Sequence, residues 1–152
     1  MSEKAGPELT ALQAALAAEH AVVYGYGVVG ARIPEGRRAE ARTAYDAHRS
    51  RRDGLAREVR DLGGEPVAAA AGYVLPFPVG DPDSAVRLAA ELEERVAGVY
   101  SDLVRASAGE RRAAAARALR EAAVRAVRWR GGSVAFPGLA ERSSGTSAAP
   151  TG

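Results

Sequence analysis

The sequence predicts an all-α domain, a four-helix bundle made of two antiparallel helical hairpins joined by a long crossover loop. Three observations carry this prediction. Apolar residues make up 47% of the 152 residues but aromatic ones only 5%, and Ala, Leu, Arg and Glu abound; such side chains lose little freedom on entering a helix. Alternating Val/Thr/Tyr strand patterns with Asn-Gly turns are missing from the sequence. Glycine and proline clusters divide the chain into four long helical segments, and its length fits one domain.

The first helix is expected from Pro7 to Ala31, with Leu9, Leu12, Leu16, Glu19, Val23, Tyr26 and Gly30 on its seam. Arg32-Ile33-Pro34-Glu35-Gly36 is a short break, so the second helix returns antiparallel, from Glu35 to Leu62. Its seam is Ala41, Tyr45, His48, Arg52, Leu55, Val59 and Leu62, and Gly63-Gly64 before Pro66 stops it. Gly64 to Asp83 is a long connection around Tyr73-Val74-Leu75-Pro76-Phe77-Pro78. Such loops are uncommon in a compact domain unless they span something. Asp81-Pro82-Asp83-Ser84 caps a third helix that runs to Ala106 on Leu88, Leu92, Val96, Val99 and Leu103. The Ser107-Ala108-Gly109 turn leads to the fourth helix, Glu110 to Arg130, whose inward face is Leu119, Ala122, Ala126 and Trp129. Gly131-Gly132 ends it, and Ser133 to Leu139 is expected to pack back through Phe136. The domain plan is an N-terminal arm over residues 1–6, a bundle over 7–140 and a disordered Ser/Ala/Gly/Pro tail over 141–152.

Short loop, long crossover, short loop is the connection pattern of the ferritin-like bundle. The residues agree with it. Leu12-Gln13-Ala14-Ala15-Leu16-Ala17-Ala18-Glu19-His20 followed by Tyr24 resembles the first-helix signature of ferritin-like proteins. Arg57-Glu58-Val59-Arg60-Asp61-Leu62-Gly63-Gly64-Glu65-Pro66 resembles the end of their second helix. The span from Leu9 to Leu139, including Leu75-Pro76-Phe77-Pro78 and Trp129-Arg130-Gly131-Gly132, resembles a ferritin-like family of unknown function common in actinobacteria. That resemblance implies a fold and very little about activity.

A ferritin-like di-metal centre takes a Glu from each of two helices and a Glu-x-x-His pair from each of the other two. The chain has two His, and Ala17 and Tyr45 stand where the Glu of each pair should be, ahead of His20 and His48. Glu19 and His48 nevertheless lie at the centres of their stripes and project into the core. Alignment of the second helix through Leu62-Gly63-Gly64 puts His48 at the motif's Glu and Arg51 at its His. A guanidinium offers no lone pair to a metal. On the third helix Glu91, Glu93 and Glu94 fall off the apolar stripe, with Arg95 nearer the core. On the fourth, Glu121 points away among Arg117, Arg125 and Arg128. These positions argue against a di-iron or di-manganese oxidase and lean away from any enzyme. They favour a buried Glu-His-Arg polar cluster in which His48, with Arg51 or Arg52 alongside, supplies the partner of Glu19 and Arg95 lies within reach, with no catalytic residue and no cofactor. The alternative reading keeps a single Fe, Mn or Zn ion on Glu19 and His48, completed by water or Glu91.

Other classes are bounded by composition. There is no Cys, so disulfides, thiolate metal sites and a Cys nucleophile are excluded. No Ser sits in a nucleophile-elbow setting near either His, which argues against a hydrolase. Met1 to Pro7 carries no apolar signal core and no stretch suits a membrane span, so a cytoplasmic protein is expected. Ala21 to Ala31 is apolar all round, which points to a homodimer through the first helix. Gly25, Gly27 and Gly30 lie within that helix and follow no strand, so close helix packing explains them better than a nucleotide loop. Seven Arg lie between Arg111 and Arg130 against one acid, within a net charge of +2. They read as a solvated face paired with the acids of the third helix, ahead of a nucleic-acid contact. A protein partner remains open, as does a small anionic ligand drawn by Arg51, Arg52 or Arg95. The preferred class is a non-enzymatic structural or interaction domain.

Overall fold

The computed structural model describes residues 5–131. Four helices follow one another: α1 (Pro7–Arg32), α2 (Arg38–Asp61), α3 (Pro82–Ala106) and α4 (Gly109–Gly131), with a single 3-10 turn at Glu35–Arg37 before α2. No strand occurs among the described residues. The expected start of the second helix at Glu35 is thus a tighter turn. Ile33, which precedes Pro34, is extended at φ −59°, ψ 146°, because the proline ring disfavours helical geometry in the residue before it. That stops α1 and delays α2 by three residues. The expected segment Ser133–Leu139, the tail beyond it and the first residues of the N-terminal arm lie outside the described residues.

Side-chain contacts fix the topology. Tyr26 of α1 meets Glu93 of α3, and Glu19 meets Tyr100, so α1 and α3 are antiparallel. Arg37 meets the carbonyls of Arg128 and Trp129 while Arg51 meets Glu121, so α2 and α4 are antiparallel as well. With α1–α2 and α3–α4 as hairpins, the order is up-down-down-up, and residues 62–81 must carry the chain back along the bundle. They do so beside α1. Gln13 donates to the Glu65 carbonyl and accepts from the Val67 amide, His20 meets the Val67 carbonyl at 3.0 Å, and the Tyr73 ring lies 5.4 Å from that of Tyr24.

Local chemistry sets the ends. Gly63 takes φ +80°, the left-handed conformation glycine adopts freely, and the Gly64 amide returns to the Val59 carbonyl. At the start of α3 the Asp81 side chain accepts from the Ser84 amide at 2.7 Å and Ser84 Oγ accepts from the Asp81 amide, a reciprocal cap. These bonds hold the Asp81 carboxyl below the usual range.

The core runs the length of the bundle on Leu12, Leu16, Val22, Tyr26 and Val29 of α1, Leu55 and Val59 of α2, Leu88 and Val96 of α3 and Trp129 of α4. Ala85 and Ala89 of α3 and Ala115, Ala118 and Ala122 of α4 are buried, and such small side chains let these two helices approach closely. The expected seam of α1 holds at Leu12, Leu16, Glu19 and Tyr26, all buried. Beyond Glu19, Val22 and Val29 are buried, while Val23 is half-buried and Gly30 exposed. A strict 3-4 spacing drifts by roughly 20° per heptad against a straight α-helix, enough to move the seam by one residue. No helix among the described residues is long and apolar enough to cross a membrane.

Candidate functional site

Glu19 and His48 are both brought into the core, as the sequence predicts, but the groups around them differ from those expected. Glu19 is 0% and His48 2% exposed, and His48 Nδ1 lies 2.6 Å from Glu19 Oε2. The other ring nitrogen, Nε2, lies 2.8 Å from Oε1 of Glu93, a residue of α3 that is also 0% exposed. Two buried tyrosines complete the array: Tyr100 donates to Glu19 Oε1 at 2.7 Å and Tyr26 donates to Glu93 Oε1 at 2.6 Å. Trp129 Nε1 of α4 donates in turn to the Tyr26 hydroxyl at 2.9 Å. One continuous hydrogen-bonded chain therefore runs Trp129–Tyr26–Glu93–His48–Glu19–Tyr100 and draws on all four helices. Glu93 Oε2 is buried with no hydrogen-bond partner among the described residues.

Electrostatics assign the protons. Burial alone would lower the His48 pKa, but hydrogen bonds to Glu19 and Glu93 and the charges of both carboxylates outweigh it and push it up to about 9. His48 is therefore an imidazolium at neutral pH. That suits a ring whose two neighbours are carboxylates, which accept and do not donate when ionised. The Tyr26 ring is stacked on it, with centroids 5.6 Å apart, a favourable place for a cation. Burial and then the adjacent carboxylate raise the pKa of both tyrosines, Tyr26 through Glu93 and Tyr100 through Glu19. Both remain phenols that donate.

The expected arginines are not members of this cluster. Arg51 pairs with Glu121 at 2.6 Å, Arg52 with Asp53 at 3.0 Å and Arg95 with Glu91 at 3.4 Å, all on the bundle's outside. Arg95 is not nearer the core than its acidic neighbours, since its side chain is 58% exposed while Glu93 is wholly enclosed. An ionised guanidinium reaches water readily through its long stem, whereas the partner for a short buried carboxylate must come from a neighbouring helix. Glu93, Tyr26 and Tyr100 are the cluster members that sequence reasoning did not assign to it. The signal for Glu93 lies in the alanines: Ala85, Ala89, Glu93 and Tyr100 form a second buried row beside the leucine stripe of α3.

A transition-metal ion does not fit this donor set. Both His48 nitrogens lie within hydrogen-bond distance of a carboxyl oxygen, so an ion would have to displace one of these contacts to reach the ring. The imidazole sits between Glu19 and Glu93. The inward face of α4 supplies Ala122, Ala126 and Trp129. Among the described residues no group of three or more His, Cys, Asp and Glu side chains is disposed to hold a metal.

The glycines and the surface also part from expectation. A Cβ on Gly25 would lie 2.6 Å from Leu92 Cδ1, the close packing anticipated, but Gly27 and Gly30 face open space. Of the α4 arginines, Arg130 pairs with Glu94 of α3, whereas Arg111 meets Glu8 of α1. Among the described residues the α4 arginines are thus matched from two helices, α1 and α3, rather than from α3 alone.

A family model described as a domain of unknown function (DUF4439) matches residues 11–141. Among solved structures, that of a conserved hypothetical protein from Mycobacterium tuberculosis is similar to this chain. The two share 38% identity with a TM-score of 0.81, over 84% of this chain and 98% of that one. None of the curated proteins matches the sequence.

Proposed function

The chain thus belongs to the family described as a domain of unknown function (DUF4439), and on that premise we propose that it is a ferritin-like bundle that keeps the superfamily's shape without its metal chemistry. In this reading it is a non-enzymatic structural or interaction domain. The up-down-down-up order and the long crossover support the ferritin-like assignment. The observation that carries the loss of chemistry is His48: it stands between Glu19 and Glu93 with both nitrogens engaged, at 2.6 and 2.8 Å. The His48 ring takes the central position and bridges the two buried carboxyl groups. The cluster then acts as a pin, because α1, α2 and α3 each supply one member and only one register of the three lets the bonds form together.

The test is elemental analysis of the full chain after anaerobic exposure to Fe(II), Mn(II) and Zn(II), with a Glu19→Ala/His48→Ala variant alongside. No ion retained by the native chain supports the reading. About one equivalent retained by the native chain and lost from the variant overturns it in favour of a metal centre at Glu19 and His48.

A further inference from the structure

We propose that the groove between the C-terminal half of α1 and the N-terminal half of α2 binds a small apolar acid, a hydrophobic body carrying one carboxylate or comparable anion. The groove encloses about 600 Å³, within the usual range of small-ligand clefts. Buried Tyr26 and Ile33 form its floor, Gly27 and Gly30 lie on the α1 wall, and Arg38 and Arg42 on the α2 wall. Its residues on α1 and the turn run from Tyr26 to Ile33, seven residue steps or roughly 10 Å at the helical rise, the length of a medium-chain acid.

Two observations indicate the occupant's chemistry. Arg38 and Arg42 lie one helical turn apart on one wall, and among the described residues neither joins an ion pair. Their neighbour Arg37 has already taken Glu40, at 2.9 Å. Two unmatched guanidinium groups beside an apolar floor complement an anion with an apolar body. In addition, a Cβ at Gly27 or Gly30 would meet nothing within 4 Å. Packing among the described residues therefore does not require these glycines, although glycine weakens a helix interior. Their effect is to keep the groove wide. The groove shares Tyr26 with the buried cluster, but its charged and glycine walls lie outside that cluster, so the proposal holds or fails independently of whether the cluster takes a metal.

Octanoate serves as the probe, with octanol as its uncharged counterpart, titrated into the full chain by calorimetry and by NMR of the Gly27 and Gly30 amides. The expected result is saturable one-to-one binding of octanoate that moves both amides. Octanol, and octanoate with an Arg38→Gln/Arg42→Gln variant, should bind at least tenfold more weakly. A Gly27→Leu/Gly30→Leu variant should abolish binding without lowering Tm, since its side chains enter open space. No amide shift with octanoate overturns the proposal, as does equal binding of octanol. A native dimer dissociated by the two leucines would give the groove to a second copy. Contacts from Phe136 to Gly27 in the free chain would give it to residues 132–152. Either finding also overturns the small-acid reading.

Discussion

Raising the pH from 6.5 to above 9 should unload the cluster at the centre of the bundle. His48 titrates at 6.5 in the unfolded chain and at about 9 in the folded one. A folded-state pKa above the unfolded value means that the native state holds the proton more tightly. The resulting stabilisation is complete below pH 6.5, declines between 6.5 and about 9, and is gone above that. At about 1.4 kcal/mol per pH unit the interval corresponds to something on the order of 3 kcal/mol. His48 is 2% exposed, so solvent screening removes little of it. A domain whose total stability is of the order of 5–15 kcal/mol would lose a substantial part. The assay is urea unfolding at pH 6, 7.5 and 9.5, with a His20→Gln variant to remove the other histidine. The slope should survive in that variant, because His20 lies toward the surface against the Val67 carbonyl, away from the buried carboxyl groups. Stability that stays level between pH 6 and 9.5 would refute the reasoning, as would a slope that vanishes with His20.

Five further substitutions separate the contributions. Tyr100→Phe leaves Glu19 Oε1 buried without its 2.7 Å donor, and should cost about 2–3 kcal/mol in urea unfolding. Gly25→Ala should destabilise by about 1 kcal/mol, because its Cβ collides with Leu92, whereas Gly27→Ala, in open space, should stabilise by up to about 1 kcal/mol; paired thermal melts decide it. Arg37→Ala removes a donor to the Arg128 carbonyl at 2.9 Å and a guanidinium 4.4 Å above the Trp129 ring. It should cost about 1–2 kcal/mol and speed amide exchange in the last turn of α4, while Arg51→Gln at the exposed Glu121 pair should cost under about 1 kcal/mol.

Much of the fold was legible because each helix is delimited by chemistry that acts locally. Asp81-Pro82-Asp83-Ser84 caps α3 and Gly63-Gly64 ends α2 without help from distant residues. The long crossover was legible for the same reason, as a stretch lacking helical period between two such stops. Glu19 and His48 were legible as charged or polar residues at the centres of apolar stripes. Their partners were less so. A leucine stripe locates the face of α3 toward one neighbour, but α3 packs against both α1 and α4, and the second face begins with two alanines, Ala85 and Ala89, which give little signal. Glu93 lies on that second face. The arginines misled because a helical wheel assigns direction to Cβ, and a long side chain can carry its charge back to solvent from a seam position, as Arg52 does. Gly27 and Gly30 misled because sequence cannot distinguish a glycine that admits a neighbouring helix from one that leaves a groove.

The central claim is that a protonated imidazole, and not a metal ligand, stands between Glu19 and Glu93. Nitrogen-15 NMR of the His48 ring in the native chain at pH 7 tests it most directly. Two protonated ring nitrogens, with hydrogens that persist until the pH approaches 9, are the predicted result. A ring with one bare nitrogen at pH 7 would contradict it, because that lone pair would be free to take a metal ion.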